Sequence, residues 1–158
     1  ALNRSGMPEE LVIGLGDPRA RLGDSAASCR EALAALDVGV RLRMHRSVVA
    51  YRGLMPEVLI AANPLTARNI VASALGPLLS HDSLLETLTT YLDSGLSTRS
   101  TASRLHVHEN TVAYRLRRIT ELLHLSSPAQ LARLDILMAN RALALMPDLR
   151  SDAETVET

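Results

Sequence analysis

A mainly α fold, preceded by a small α+β segment, follows from three observations. Before Pro56 the chain holds two short apolar runs, ELVIGLGDP and SVVAY, on either side of one helical stretch, SAASCREALAALDVG. From Pro56 onward the apolar residues recur with helical spacing throughout. The breaks Asn63-Pro64 and Gly76-Pro77 then cut this second part into helices of ordinary length.

The elements follow in order. ELVIGLGDP is a strand closed by its Gly/Pro turn, with Gly14 and Gly16 read as turn residues. SAASCREALAALDVG is a helix on Ala27, Ala32, Leu33 and Leu36, with Ser25 able to cap it and Gly39 just past its end. SVVAY is the second strand. Such a strand-helix-strand unit is too small to bury both faces of a sheet alone. PEVLIAAN and LTARNIVASAL are the next helices, and HDSLLETLTTYLDSG follows with Leu84, Leu85, Leu88 and Leu92 on one stripe and Gly95 as its stop. At the end SSPAQLARLDILMANRALALM predicts one long helix over 128–146, with Pro128 in its first turn.

Composition narrows the function classes. The chain has 158 residues and 47% hydrophobic content, enough for one ordinary domain or two small ones. No run approaches the roughly 18 apolar residues of a membrane span, and ALNRSGMPEE lacks the basic-then-apolar order of a signal peptide, so a cytoplasmic chain with no membrane association is expected. The single cysteine, Cys29, excludes an internal disulfide and is expected as a small buried hydrophobe within its helix. All 17 basic residues are arginine, and Phe and Trp are absent, a pattern of GC-rich bacterial genomes. With 17 acids the net charge is zero, so no global field draws a polyanion. Local distribution says more. Between residues 98 and 118, Arg99, Arg104, Arg115, Arg117 and Arg118 stand against Glu109 alone, whereas PDLRSDAETVET is acidic and predicts a disordered tail over 147–158.

The arginine-rich stretch, ASRLHVHENTVAYRLRRI, has a definite geometry. A cap at Ser97 or Thr98 starts a short helix through Leu105 that turns Thr101, Ala102 and Leu105 inward. His106, Val107 and His108 then form a three-residue turn. In the next helix Val112, Leu116, Ile119 and Leu123 fall within about 60° of one another at 100° per residue, which is the buried stripe. Asn110, Tyr114, Arg117 and Glu121 must lie opposite, flanked by Thr111, Ala113 and Arg118. Amide, phenol and guanidinium groups on one helix face suit base edges and phosphates in a major groove about one helix wide. Two helices, a tight turn and a polar second helix describe a helix-turn-helix.

Other readings of the same residues are weaker. His106 and His108, with His45, His81 and His124 elsewhere, suggest zinc, but no Cys or Asp cluster completes four ligands, and no metal is expected. Gly14-Leu15-Gly16 follows a strand, yet Arg19 stands where G-x-G-x-x-G needs its third glycine. The main alternative is a helical protein-protein interaction module whose arginine face binds an acidic protein without DNA; a solvated charged face with no partner is the blandest.

The stretch LLETLTTYLDSGLSTRSTASRLHVHENTVAYRLRRITELLHLSSPAQLARLDILMANRAL resembles the C-terminal helix-turn-helix domain of the PucR family, which includes the carbohydrate diacid regulators. The likeness rests on LLETL and then on Thr101-Ala102, Leu105, Val107-His108, Asn110-Thr111-Val112, Tyr114-Arg115-Leu116 and Arg118-Ile119. LGPLLSHD resembles the family's lead-in, with His81 where a tyrosine is usual. His106 departs from the pattern, since the family commonly has glycine in that turn. VIGLGDP, the SAASCREALAAL helix and SVVAY resemble the final strand-helix-strand of the degenerate GGDEF-like domain that precedes this helix-turn-helix in the family. No GGDEF hairpin and no paired carboxylates for magnesium are present there, so no catalytic residue and no cofactor is expected.

The resemblance implies four stretches: 1–55 as a partial GGDEF-like segment, 56–80 as a helical connector, 81–146 as the helix-turn-helix domain and 147–158 as the tail. It also implies a transcriptional regulator that binds double-stranded DNA as a homodimer, is not an enzyme, and answers to a small-molecule effector through an N-terminal region outside this chain. Arg99, Ser100 and Arg104 are the expected phosphate contacts of the first helix. On the second, Asn110 is matched to adenine, Arg117 to guanine, and Tyr114 to a thymine methyl or a phosphate. Thr111 and Arg118 flank that face; Arg115 leans toward the apolar stripe, with a structural or phosphate role. His108 caps the helix or touches phosphate, and Glu109 suits cytosine or the helix dipole.

Overall fold

The computed structural model describes residues 11–150, and seven α-helices and two β-strands lie among them. The chain divides into two compact units, Ala1–Pro64 with Ala144–Met146 and Leu65–Leu143 with Pro147–Thr158. The division falls inside the stretch expected as a connector.

The first unit holds β1 (Val12–Leu15), α1 (Ser25–Arg41), β2 (Ser47–Ala50) and α2 (Met55–Ala61). β1 and β2 pair in parallel from Val12↔Ser47 to Leu15↔Ala50, an arrangement that requires a crossover, and α1 supplies it. Three glycines let α1 lie close on the strands. A Cβ at Gly14 would overlap the carbonyl oxygen of Ala32, one at Gly16 that of Ser28, and one at Gly39 would stand 3.0 Å from Val12 Cγ1 and 3.1 Å from Val49 Cγ2. The turn role expected for Gly14 and Gly16, and the stop role expected for Gly39, are corrected to close packing. α1 runs past Gly39 and ends through Arg43, at φ 52°, with Met44 N–H donating to Gly39 O and Arg43 N–H to Val40 O. Ser25 is the first helical residue; Asp24 holds the cap position without a side-chain bond. Cys29 is exposed rather than buried, because at 100° per residue it lies about 180° from Val38 on the packed side of α1.

In the second unit α3 (Pro64–Leu75) buries Ala67, Val71 and Leu75 at helical spacing, and a short turn over 76–78 with Pro77 leads to α4 (Asp82–Asp93). α4 buries Leu84, Thr87, Leu88 and Tyr91, so its packed face is rotated from the expected leucine stripe and contains a threonine. It stops at Gly95, φ 64°, where Leu96 N–H reaches Tyr91 O. α5 (Thr98–Leu105) and α6 (Glu109–Leu122) follow, and both pack on α4.

The long final helix is also corrected. Pro128–Ala132 forms a 3₁₀ turn that buries Leu131, Arg133 is extended (ψ 146°), and α7 spans Leu134–Leu145. Arg133 Nη2 pairs with Asp135 Oδ2 at 2.7 Å, and Asp135 Oδ1 accepts from Ile136 N–H, which favours a new helix start at that point. Thr89 Oγ1 donates to the buried Asn140 Oδ1 at 2.7 Å, tying α7 to α4. Pro147–Arg150, the start of the expected tail, is folded: Leu149 is buried, and Arg150 donates from Nε and Nη2 to Leu79 O and pairs with Asp82. Residues 151–158 lie outside the described residues.

Candidate nucleic-acid interface

α5 and α6 begin and end where their caps dictate. The Ser97 side chain accepts from Ser100 N–H at 3.2 Å, satisfying one orphan donor at the start of α5. At the other end His106 adopts φ 54°; His106 N–H points to Ser103 O at 3.4 Å and Val107 N–H to Ala102 O at 3.0 Å, the paired bonds of a left-handed helix stop. The same pattern closes α6 at His124, φ 52°, with Leu125 N–H on Thr120 O. His108 then caps α6, its Nδ1 accepting from Asn110 N–H at 3.2 Å. This bond requires neutral Nδ1, so the remaining ring proton sits on Nε2.

Packing fixes which side of α6 faces outward. Val112, Leu116 and Ile119 are buried with Thr120, and Thr101 and Ala102 are buried on α5, which packs on α6. Asn110, Tyr114, Arg117 and Glu121 are exposed on the opposite side, with Tyr114 at 66%. Ala113 is exposed between them and adds no bulk. Thr111 is half-buried at the edge of this face.

The remaining candidates divide by their partners. Arg99, Ser100, Glu109 and Arg117 are exposed, and Arg99 and Arg117 make no ion pair among the described residues. Arg104 Nη1 approaches Ser94 Oγ at 3.4 Å, and Arg118 Nη1 pairs with Glu121 Oε2 at 3.0 Å, both in solvent where such bonds exchange readily. Arg115 differs. Its Nη1 donates to Thr87 Oγ1 of α4 at 3.1 Å, within the domain rather than on its surface. Thr87 and Ser94 were not singled out by the sequence; for Thr87 the signal was a hydroxyl set among Leu84, Leu88 and Tyr91.

His106 is exposed and His108 is engaged as a cap, and among the described residues no three His, Cys, Asp or Glu side chains converge as a metal site would require. No single helix among the described residues is long and apolar enough to cross a membrane.

Two short helices joined by a three-residue turn, packed on a third, with a polar and cationic outer face on the second, define a helix-turn-helix module. Residues 84–142 match the family described as the PucR C-terminal helix-turn-helix domain, a DNA-binding architecture. The chain is also 33% identical over 112 residues to an uncharacterized protein of Mycobacterium bovis and to uncharacterized proteins of two Mycobacterium tuberculosis strains. The match covers 70% of this chain and 27% of each relative. The chain thus corresponds to about a quarter of the length of those curated relatives.

Proposed function

We propose that the second unit is the DNA-binding part of a transcriptional regulator of PucR type, with α6 entering the major groove. One observation carries the reading. Asn110, Tyr114 and Arg117 share a solvent-facing side of α6, while packing against α4 and α5 holds the other side. Asn110 then pairs with adenine, Arg117 with guanine, and Tyr114 packs on a thymine methyl or bonds a phosphate. Arg99, Ser100 and Arg104 of α5 meet phosphates, as do Arg118 on leaving Glu121 and the outward Nε2–H of His108. Glu109 remains next to the helix N-terminus, where its charge is favoured, and within reach of a cytosine amine. Thr111 borders the groove.

The fuller reading includes a symmetric homodimer, two α6 helices set about 34 Å apart on one face of DNA. Leu134, 72% exposed, and Leu137 on α7 offer apolar surface to a second copy. The parallel β1–α1–β2 unit is consistent with the end of a degenerate GGDEF-like domain, and effector sensing is assigned to neither unit. Duplexes enriched from a random-sequence pool by the full chain test the proposal: bound DNA should release as salt rises, log affinity falling linearly with log salt. Binding to an acidic protein with no affinity for any duplex would replace DNA with the interaction-module reading. Sedimentation at micromolar concentration decides dimer from monomer.

A further inference from the structure

Thr87 is wholly buried on α4 and makes two hydrogen bonds of different kinds. Its hydroxyl donates to Ser83 O at 2.6 Å and accepts from Arg115 Nη1 at 3.1 Å. The first bond fixes the hydroxyl proton along α4, so the lone pairs are presented to the guanidinium. A hydroxyl held this way is an acceptor of fixed direction, and a bond from a charged donor to it is among the stronger ones.

Arg115 lies on α6 between Thr111 and Ile119, one residue after Tyr114 and two before Arg117. We infer that Arg115 is a positioning residue rather than a DNA contact: drawn onto Thr87, it sets the roll of α6 on α4 and thereby aims Asn110, Tyr114 and Arg117. Apolar packing of Val112, Leu116 and Ile119 holds α6 in place but is tolerant of small rotations about the helix axis. A directional bond on the flank of that stripe is not. Base reading depends on bidentate geometry and phosphate binding does not, so loss of the strut should cost discrimination while leaving general affinity. This inference rests on the DNA-binding reading for its consequence, although the strut itself does not.

The test compares Thr87→Val, Thr87→Ser and Arg115→Met in the full chain. Each is titrated with a duplex selected by the unmodified chain and with random-sequence duplex of equal length. Thr87 makes no contact with solvent, so any change it causes in DNA binding is indirect. Thr87→Val and Arg115→Met should each lower the ratio of selected to random affinity about tenfold, as expected for loss of one bidentate base contact that α6 no longer aims, with random-duplex affinity and its salt slope unchanged. The double variant should be no worse than either single one, and Thr87→Ser should keep the ratio. If Arg115→Met weakens both duplexes equally and lowers the salt slope by about one, Arg115 contacts phosphate and the inference is overturned. It is overturned too if Thr87→Val discriminates as well as the unmodified chain. Should the unmodified chain bind no duplex, the DNA reading fails by itself, and nitrogen-15 NMR of the Arg115 guanidinium decides the strut. Slowly exchanging Nη protons present in the native chain and in Thr87→Ser but lost in Thr87→Val support it; their absence from the native chain refutes it. If Thr87→Val does not fold, Arg115→Met and the native guanidinium signals carry the same decision.

Discussion

Arg19, Arg41 and Arg52 of the first unit are held by carboxylates, whereas Arg99 and Arg117 of α5–α6 are not. Around the strand ends Arg52 Nε bonds both carboxylate oxygens of Asp17 at 2.8 Å, Arg19 pairs with Glu31, and Glu31 also accepts from Asp17 N–H at 2.9 Å. The Asp17 carboxylate, as hydrogen-bond acceptor and as negative charge, holds the Arg52 guanidinium above its ordinary pKa. Arg41 likewise meets Asp37 one turn away. On α5–α6, Arg99 and Arg117 are exposed and make no ion pair among the described residues, near an exposed tyrosine and asparagine. A chain with zero net charge can therefore carry a locally cationic surface, provided its carboxylates are drawn to other arginines.

The comparison is sharpened first by changes to packing. Ile119→Ala removes a fully buried side chain from under the recognition face and should cost about 2–5 kcal/mol, read as lost helicity and a lower melting temperature. Gly16→Ala should cost about 1–3 kcal/mol, because its methyl group meets the backbone of Ser28 rather than a side chain that can swing away. DNA affinity of the folded fraction should survive Gly16→Ala. If affinity falls with the fold intact, the strand-helix-strand unit has a share in binding that the charge pattern does not assign to it.

Changes to the exposed face come next in size. Asn110→Ala, Tyr114→Ala and Arg117→Ala should each lose about 1–3 kcal/mol of sequence discrimination, with the melting temperature nearly unchanged. Loss of fold in any of the three, or an unaltered footprint in all, breaks the contrast between a packed and a reading face.

The smallest effect concerns the turn. His106 has a left-handed backbone without being glycine, so His106→Gly should stabilise the chain by up to about 1 kcal/mol, seen as a small rise in the denaturant midpoint. A fall would mean that the imidazole makes a contact worth more than the strain it imposes.

What was legible in the sequence divides along the same line. α5, its three-residue turn and α6 fall where the caps and the 3.6-residue period place them, because Ser97, His108 and the Val112–Leu116–Ile119 stripe are local signals. The lean of Arg115 toward that stripe was also readable, but its partner was not, since Thr87 lies 28 residues away. The end of α1 was misread, because its left-handed stop, Arg43, is not glycine. Gly95 announced itself, whereas Arg43 and His124 carry no such mark. The converse error occurred at Gly14, Gly16 and Gly39, whose purpose is close packing between elements and so depends on tertiary contacts absent from any local pattern. LARLD likewise shows no Gly or Pro where the backbone extends at Arg133.

The central claim, that the outer face of α6 reads DNA, is tested most directly by titrating a selected duplex with the native chain and with Arg117→Ala over a range of salt. The native chain should bind with log affinity falling linearly as log salt rises, and Arg117→Ala should lose preference at one G·C pair while still binding. Salt-independent binding, or an unchanged preference at every base pair in the variant, would contradict it.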